Sequence, residues 1–337
     1  MENQHGMKVS ITDFGSTITS ILVPDKSKEL RDVVLGYESL DEYVNDQYYM
    51  GAIIGRYANR IDGGEVSMNG NSYQLTLNDP PNHLHGGENG FNKVLWESHI
   101  QNNNENQRLV MEYNSPDGEE GYPGNLQVSI QYDLTDQNEL LISMEAVTDS
   151  STFVNLTAHP YFNLNGAGSG TAESHLLNIN ARKFLPLGIN HLPTGVLEPV
   201  ENTPMDFLNI RAIGDKIGEA NEQLTHVNGY DHTWVIDNWD STLREASLLV
   251  GDESGIRMRI QTTLPGVHLY TGNFLASPLT GKENKAYDFR SGICLEPQFF
   301  PNSPNLPQFP STILSSGEIY RHQIRYQFDN DLLKTEL

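Results

Sequence analysis

The chain has 337 residues, 37% of them hydrophobic, and its 21 basic and 44 acidic side chains give a net charge of −23. That field repels nucleic acid and anionic lipid, and it disfavours a phosphorylated substrate unless a basic pocket opposes it; no lysine or arginine cluster supplies one. A small neutral ligand does not feel the net charge, so the acidity reads as solubility. No apolar run approaches ~20 residues, so no membrane span is expected. The single cysteine, Cys294, excludes an internal disulfide and agrees with a reducing compartment. The start, Met1 to Gly6, lacks the basic-then-apolar pattern of a signal peptide, and a cytoplasmic location is the expectation.

Short alternating runs at residues 7–11 and 18–23 open the chain as strands, and a helical turn is expected near 39–43. Further runs lie at 73–77 and 109–113. Leu126, Val128, Ile130, Tyr132 and Leu134 then alternate with mostly polar neighbours, and after a Thr-Asp-Gln-Asn break Leu140, Ile142, Met144 and Ala146 do the same. A period of two on both sides of a short turn predicts an antiparallel hairpin with one buried face. A helix is predicted from 210 to about 222, where Ile210, Ile213 and Ile217 follow helical spacing, although Gly214 and Gly218 weaken it. Runs at 247–250, 257–262, 267–271 and 319–328 complete the series. Many strands without interleaved helices predict an all-β chain, and no linker or repeat divides it, so residues 1–337 are expected to form one large sheet-on-sheet domain with one or two short helices.

Five segments carry candidate chemistry. Gly55-Arg-Tyr-Ala-Asn-Arg-Ile61 places Asn59 beside Arg60, an amide and a guanidinium fork suited to sugar hydroxyls or a developing oxyanion; the alternative is that the arginines hold loop carbonyls or surface carboxylates. In Asn82-His-Leu-His-Gly-Gly87 the two histidines share a side if the segment is extended, but no third ligand at a recognisable spacing follows, so no metal is expected. The paired glycines allow close approach of a ligand or another strand. His159, before Pro160 and near Tyr161 and Phe162, is in an aromatic setting where an imidazole titrating near neutrality would donate a proton; a core histidine bonded to a carbonyl is the rival reading. Asp231 opens a strand with Trp234 nearby as a stacking face, or it closes an Asx-turn. Glu296 ends an apolar run before a loop with Pro297, Pro301 and Pro304, a setting in which burial raises a carboxyl towards a working base. It otherwise caps a turn or pairs with an arginine. Cys294, two residues earlier, reads as a buried inert thiol.

Together these segments, with Ser115-Pro-Asp-Gly-Glu-Glu-Gly-Tyr-Pro-Gly124, Tyr270-Thr-Gly-Asn-Phe274 and Phe309-Pro-Ser-Thr-Ile-Leu314, resemble the aldose 1-epimerase (galactose mutarotase) family over nearly the whole chain. The resemblance implies a large antiparallel β-sandwich of the galactose mutarotase-like supersandwich type. It implies interconversion of the α and β anomers of free aldohexoses such as galactose and glucose, without a cofactor. By residue match, Glu296 is the general base and His159 the general acid, while Asn59, Arg60, His85 and Asp231 bind the sugar. Glutamine is frequent in the family where this chain has His268, a position expected to touch the sugar, and also where it has Leu264. The partner is then a free monosaccharide, with no nucleic acid or membrane, and the chain a monomer or weak homodimer. A non-catalytic sugar-binding protein is the main rival; a glycoside hydrolase using Glu296 and Asp231 is the other.

Overall fold

A computed structural model describes residues 1–103, 106–275 and 279–330. Two antiparallel sheets dominate it. The larger runs, edge to edge, through Arg211–Ala212, Leu176–Ile179, Arg244–Val250, Arg257–Thr262, Tyr320–Asp329, Glu139–Thr148, Leu126–Leu134, Asn106–Ser115 and Glu97–Asn103. The smaller runs through Glu198–Pro199, Lys183–Leu185, Asp231–Val235, Gly266–Tyr270 and Cys294–Gln298. One apolar cluster draws Ile130, Met144, Ile260 and Ile324 from the first sheet and Trp234, Val267, Leu269 and Leu295 from the second, so the sheets pack face to face. The all-β sandwich read from the pattern of strands is the architecture found.

The predicted hairpin is present with Leu126 opposite Thr148 and Leu134 opposite Leu140. Its turn is closed by the Asn138 N–H donating to Thr135 O, and Asn138 takes the left-handed φ of 56° that asparagine tolerates. The capped turn near residue 40 is the helix Leu40–Val44, where Glu42 accepts from the Ser39 backbone N–H.

The predicted helix at 210–222 is corrected. Arg211–Ala212 joins the edge of the large sheet, Gly214–Ile217 makes one helical turn, and a separate helix spans Glu222–Val227. Gly218 ends the first piece, and Asn221 starts the second by accepting from the Gln223 N–H. Among the described residues these three helices are short, and none is long and apolar enough to cross a membrane. The run at 73–77 is strand only over Asn71–Gln74, because the Leu75 and Thr76 N–H groups donate to the loop carbonyls of Gly64 and Glu120.

Candidate active site

Strand periodicity builds the floor of the site. Val267, Leu269 and Leu295 point into the core, so their neighbours His268, Tyr270, Cys294 and Glu296 point to the opposite face. The register sets Thr233 opposite His268, His268 opposite Glu296 and Asp231 opposite Tyr270. Asp231, Thr233, His268 and Glu296 therefore share one face of the smaller sheet. Pro297 is tolerated because Cys294–Gln298 is the sheet's edge strand, and its carbonyl accepts from Thr157 Oγ1 at 2.7 Å.

Loops bring the remaining groups over that floor. Asn59 adopts φ 66° and His85 φ 50°, and the two are tied together: the Asn59 N–H donates to His85 Nδ1 at 3.1 Å. The close approach expected at the paired glycines is real and is made by backbone, since a Cβ on Gly86 would stand 1.8 Å from Gly55 O. His83 and His85 do not act as a pair. His83 donates from Nδ1 to Thr76 O and accepts at Nε2 from the Tyr122 hydroxyl, both at 2.6 Å, whereas His85 enters the cleft.

The two arginines also divide. Arg56 is buried and donates to the carbonyls of Ser115, Pro116, Pro123 and Gly124, which explains the glycine- and proline-rich segment that wraps it. Arg60 lines the cleft, with Nε 2.8 Å from Asp79 and Nη1 3.7 Å from Asp231. Burial works against its charge, but Asp231 and Asp79 outweigh burial and hold the guanidinium protonated.

A cleft of about 180 Å³ results, lined by Asn59, Arg60, His85, His159, Asp231, His268 and Glu296. All seven expected site residues meet there. Trp234 does not: it is fully buried on the core face and donates from Nε1 to Met205 O, so the expected stacking role is withdrawn. The aromatic walls are instead Tyr48, Tyr49, Tyr161, Tyr270 and Phe274. Tyr49 was not anticipated. Its ring centroid lies 4.7 Å from that of His85 and 5.9 Å from that of His159, on a backbone with φ 58°, which a bulky residue seldom adopts. The only sequence signal was two adjacent tyrosines outside any alternating pattern.

Glu296 is 1% exposed, and neither carboxyl oxygen has a hydrogen-bond partner within the protein. Burial first, and then the charge of Asp231, push its carboxyl well above the usual 4.5, with Arg60 opposing. His159 Nε2 lies 3.6 Å from Glu296 Oε1, and its Nδ1 lies 3.5 Å from Cys294 Sγ. The imidazole was expected to titrate near neutrality; burial lowers it to about 4. Burial thus favours the neutral form of both the carboxyl and the ring. Asp231 behaves oppositely. Burial would raise it, but the hydrogen bond and charge of His268, with Arg60, keep it well below the ordinary carboxyl range.

His85, His159 and Glu296 bring potential ligand atoms within 4.8 Å of one another. The donor set does not fit a metal. His85 Nδ1 accepts from a backbone N–H, so the neutral ring carries its hydrogen on Nε2 and has no free lone pair.

Residues 1–327 match the family model described as aldose 1-epimerase. Galactose mutarotase from Rattus norvegicus is 40% identical over 322 residues, covering 96% of this chain and 91% of that protein. Aldose 1-epimerase from Escherichia coli is 35% identical over 331 residues, covering 97% and 94%. Among solved structures, a GalM/aldose epimerase homologue from C. elegans superposes with a TM-score of 0.89 at 30% identity, covering 98% of each chain.

Proposed function

Since this chain belongs to the aldose 1-epimerase family and interconverts the anomers of free aldoses, we propose that Glu296 and His159 move the protons of that isomerisation. The observation that carries this reading is a buried carboxyl 3.6 Å from an imidazole nitrogen, under a rim of hydroxyl-binding groups. Opening a cyclic hemiacetal removes a proton from the anomeric hydroxyl and delivers one to the ring oxygen. Both oxygens hang on the same carbon, so the base and the acid must be neighbours.

One proton suffices. With it on His159, the Glu296 carboxylate takes the anomeric proton while the imidazolium protonates the ring oxygen, and the bond from that oxygen to the anomeric carbon breaks. The pair is then left as carboxylic acid and neutral imidazole, the forms that burial favours. Rotation about the bond between the aldehyde carbon and its neighbour presents the other face, and closure runs both transfers backwards. Each group contributes typically ~10²–10⁴ in rate. His85, as an Nε2–H donor, and Arg60 stabilise charge on the sugar oxygens during transfer; Asn59 and Asp231 complete the set that holds hydroxyls, with His268 hydrogen-bonded to Asp231 rather than to the sugar. Asn59 is oriented for this role, because its Oδ1 accepts from the Arg60 N–H and its amide nitrogen is left as a donor. The enzyme works on a free monosaccharide, as a monomer or weak homodimer in the cytoplasm.

The test is optical rotation of freshly dissolved α-D-galactose and α-D-glucose in weak buffer. Relaxation should be accelerated by the wild-type protein and fall to near the water rate with His159→Asn. Tight sugar binding without any acceleration would instead make the chain a sugar-binding protein.

A further inference from the structure

The strands Asp231–Val235 and Gly266–Tyr270 set Thr233 opposite His268, with Asp231 two residues before Thr233 on the same face. Thr233 Oγ1 lies 2.9 Å from His268 Nδ1, and His268 Nε2 lies 2.8 Å from Asp231 Oδ1. All three residues are buried. A carboxylate only accepts, so Nε2–H donates to Asp231. The threonine hydroxyl both donates and accepts, so it satisfies Nδ1 in either protonation state of the ring. Both ring nitrogens are therefore committed to protein partners. The Asn59 amide nitrogen stands 3.4 Å from Nε2, but it is itself a donor and adds nothing there.

We propose that His268 acts on the sugar through Asp231: Thr233 fixes the ring, the ring holds Asp231 Oδ1, and Oδ2, on the Arg60 side, accepts from one sugar hydroxyl. This deepens the aldose reading above and rests on it. Arg60 Nη1 is 3.7 Å from Oδ2, too far to use up that oxygen. Thr233 and His268 are thus positioning residues whose effect is confined to the hydroxyl that Asp231 binds. A ring with no spare nitrogen also leaves its part of the cleft wall without a direct sugar ligand. Selectivity at that point then comes from the orientation of one carboxylate.

Thr233→Val removes the hydroxyl at nearly constant volume, Thr233→Ser retains it, and His268→Phe keeps a flat ring without nitrogens. In the full chain, with α-D-galactose and its monodeoxy analogues as substrates, Thr233→Val should raise KM about fivefold with kcat within about twofold. Thr233→Ser should keep the wild-type KM. In a His268→Phe background Thr233→Val should add nothing. The deoxy sugar whose KM is unmoved by Asp231→Asn should be the one unmoved by His268→Phe. Additive effects of the two substitutions, or a different deoxy sugar left unmoved by His268→Phe, would overturn the relay and make His268 a sugar ligand. If the wild-type protein accelerates no aldose, the functional reading fails separately. Imidazole nitrogen NMR shifts of the sugar-free protein then decide: Thr233→Val should move His268 Nδ1, and an unmoved Nδ1 refutes the relay.

Discussion

Glutamine is nearly isosteric with glutamate, so Glu296→Gln leaves the floor of the cleft packed while removing the group that accepts a proton. If the carboxylate is the base, turnover should fall by ~10²–10⁴, equivalent to about 2.7–5.4 kcal/mol of transition-state stabilisation. The same substitution should stabilise the fold. Glu296 is buried with neither oxygen hydrogen-bonded in the protein; a glutamine amide is no better paired there, but it cannot ionise, and an ionised group left unpaired costs more than the about 1–3 kcal/mol of a neutral one. The sign with pH follows from linkage. The folded carboxyl titrates well above its ordinary 4.5, chiefly through burial, so its contribution is most favourable below 4.5 and is lost as pH rises through the folded value. Glutamine does not titrate. The melting temperature of Glu296→Gln relative to wild type should therefore rise with pH from acid towards neutral. At about 2.1 cal/mol/K of unfolding entropy per residue, 337 residues give about 0.7 kcal/mol per degree, so a gain of ~1–3 kcal/mol appears as about 1–4 °C. Polarimetry reads the turnover and scanning calorimetry across pH reads the stability. A variant within about tenfold of wild-type turnover, or a melting difference that shrinks as pH rises, refutes the reasoning.

Three further outcomes are expected. Because burial holds His159 at about 4, kcat should stay level as pH falls from neutrality and decline only where a second proton enters the Glu296–His159 pair; a decline centred near 6.5 in the kcat profile contradicts this. Cys294 is fully buried, and burial pushes its thiol well above the usual range, so iodoacetamide should leave the native protein unlabelled and modify it after denaturation. Mass spectrometry showing labelled, active protein would remove that picture. With the Nδ1 lone pair of His85 taken by the Asn59 N–H and Nε2 carrying the ring hydrogen, exhaustive chelation should leave kcat unchanged, and a loss restored by added metal would show the donor set to be misread.

The hairpin over residues 126–148 was legible because alternation is local and every second side chain reports the same face. No single helix spans 210–222, because Gly218 ends one turn and Asn221 starts another, and three isoleucines at helical spacing do not override those caps. Asn59, Arg60, His85, His159, Asp231 and Glu296 were found through resemblance to a family, each having a bland local alternative. Their meeting depends on strand register between segments far apart in the chain; Asp231 and His268 are 37 residues apart, and local pattern does not encode that pairing. Three residues along a strand reverses the face, so Asp231 in the cleft places Trp234 in the core. Tyr49 was out of reach because its entry into the cleft rests on a left-handed backbone in a loop.

The register of the smaller sheet bears on how such a chain can change over generations. Asp231, His268 and Glu296 face the cleft because each keeps an even count from its cleft-facing strand neighbours, and that parity survives almost any substitution. It does not survive a one-residue insertion or deletion within 231–235, 266–270 or 294–298, which would turn a carboxylate or imidazole into the apolar core and bring leucine or valine to the surface of the cleft. These strands are therefore expected to drift in composition while holding a fixed length. Gains and losses of residues should collect in turns such as 135–138, where no reacting group depends on the count.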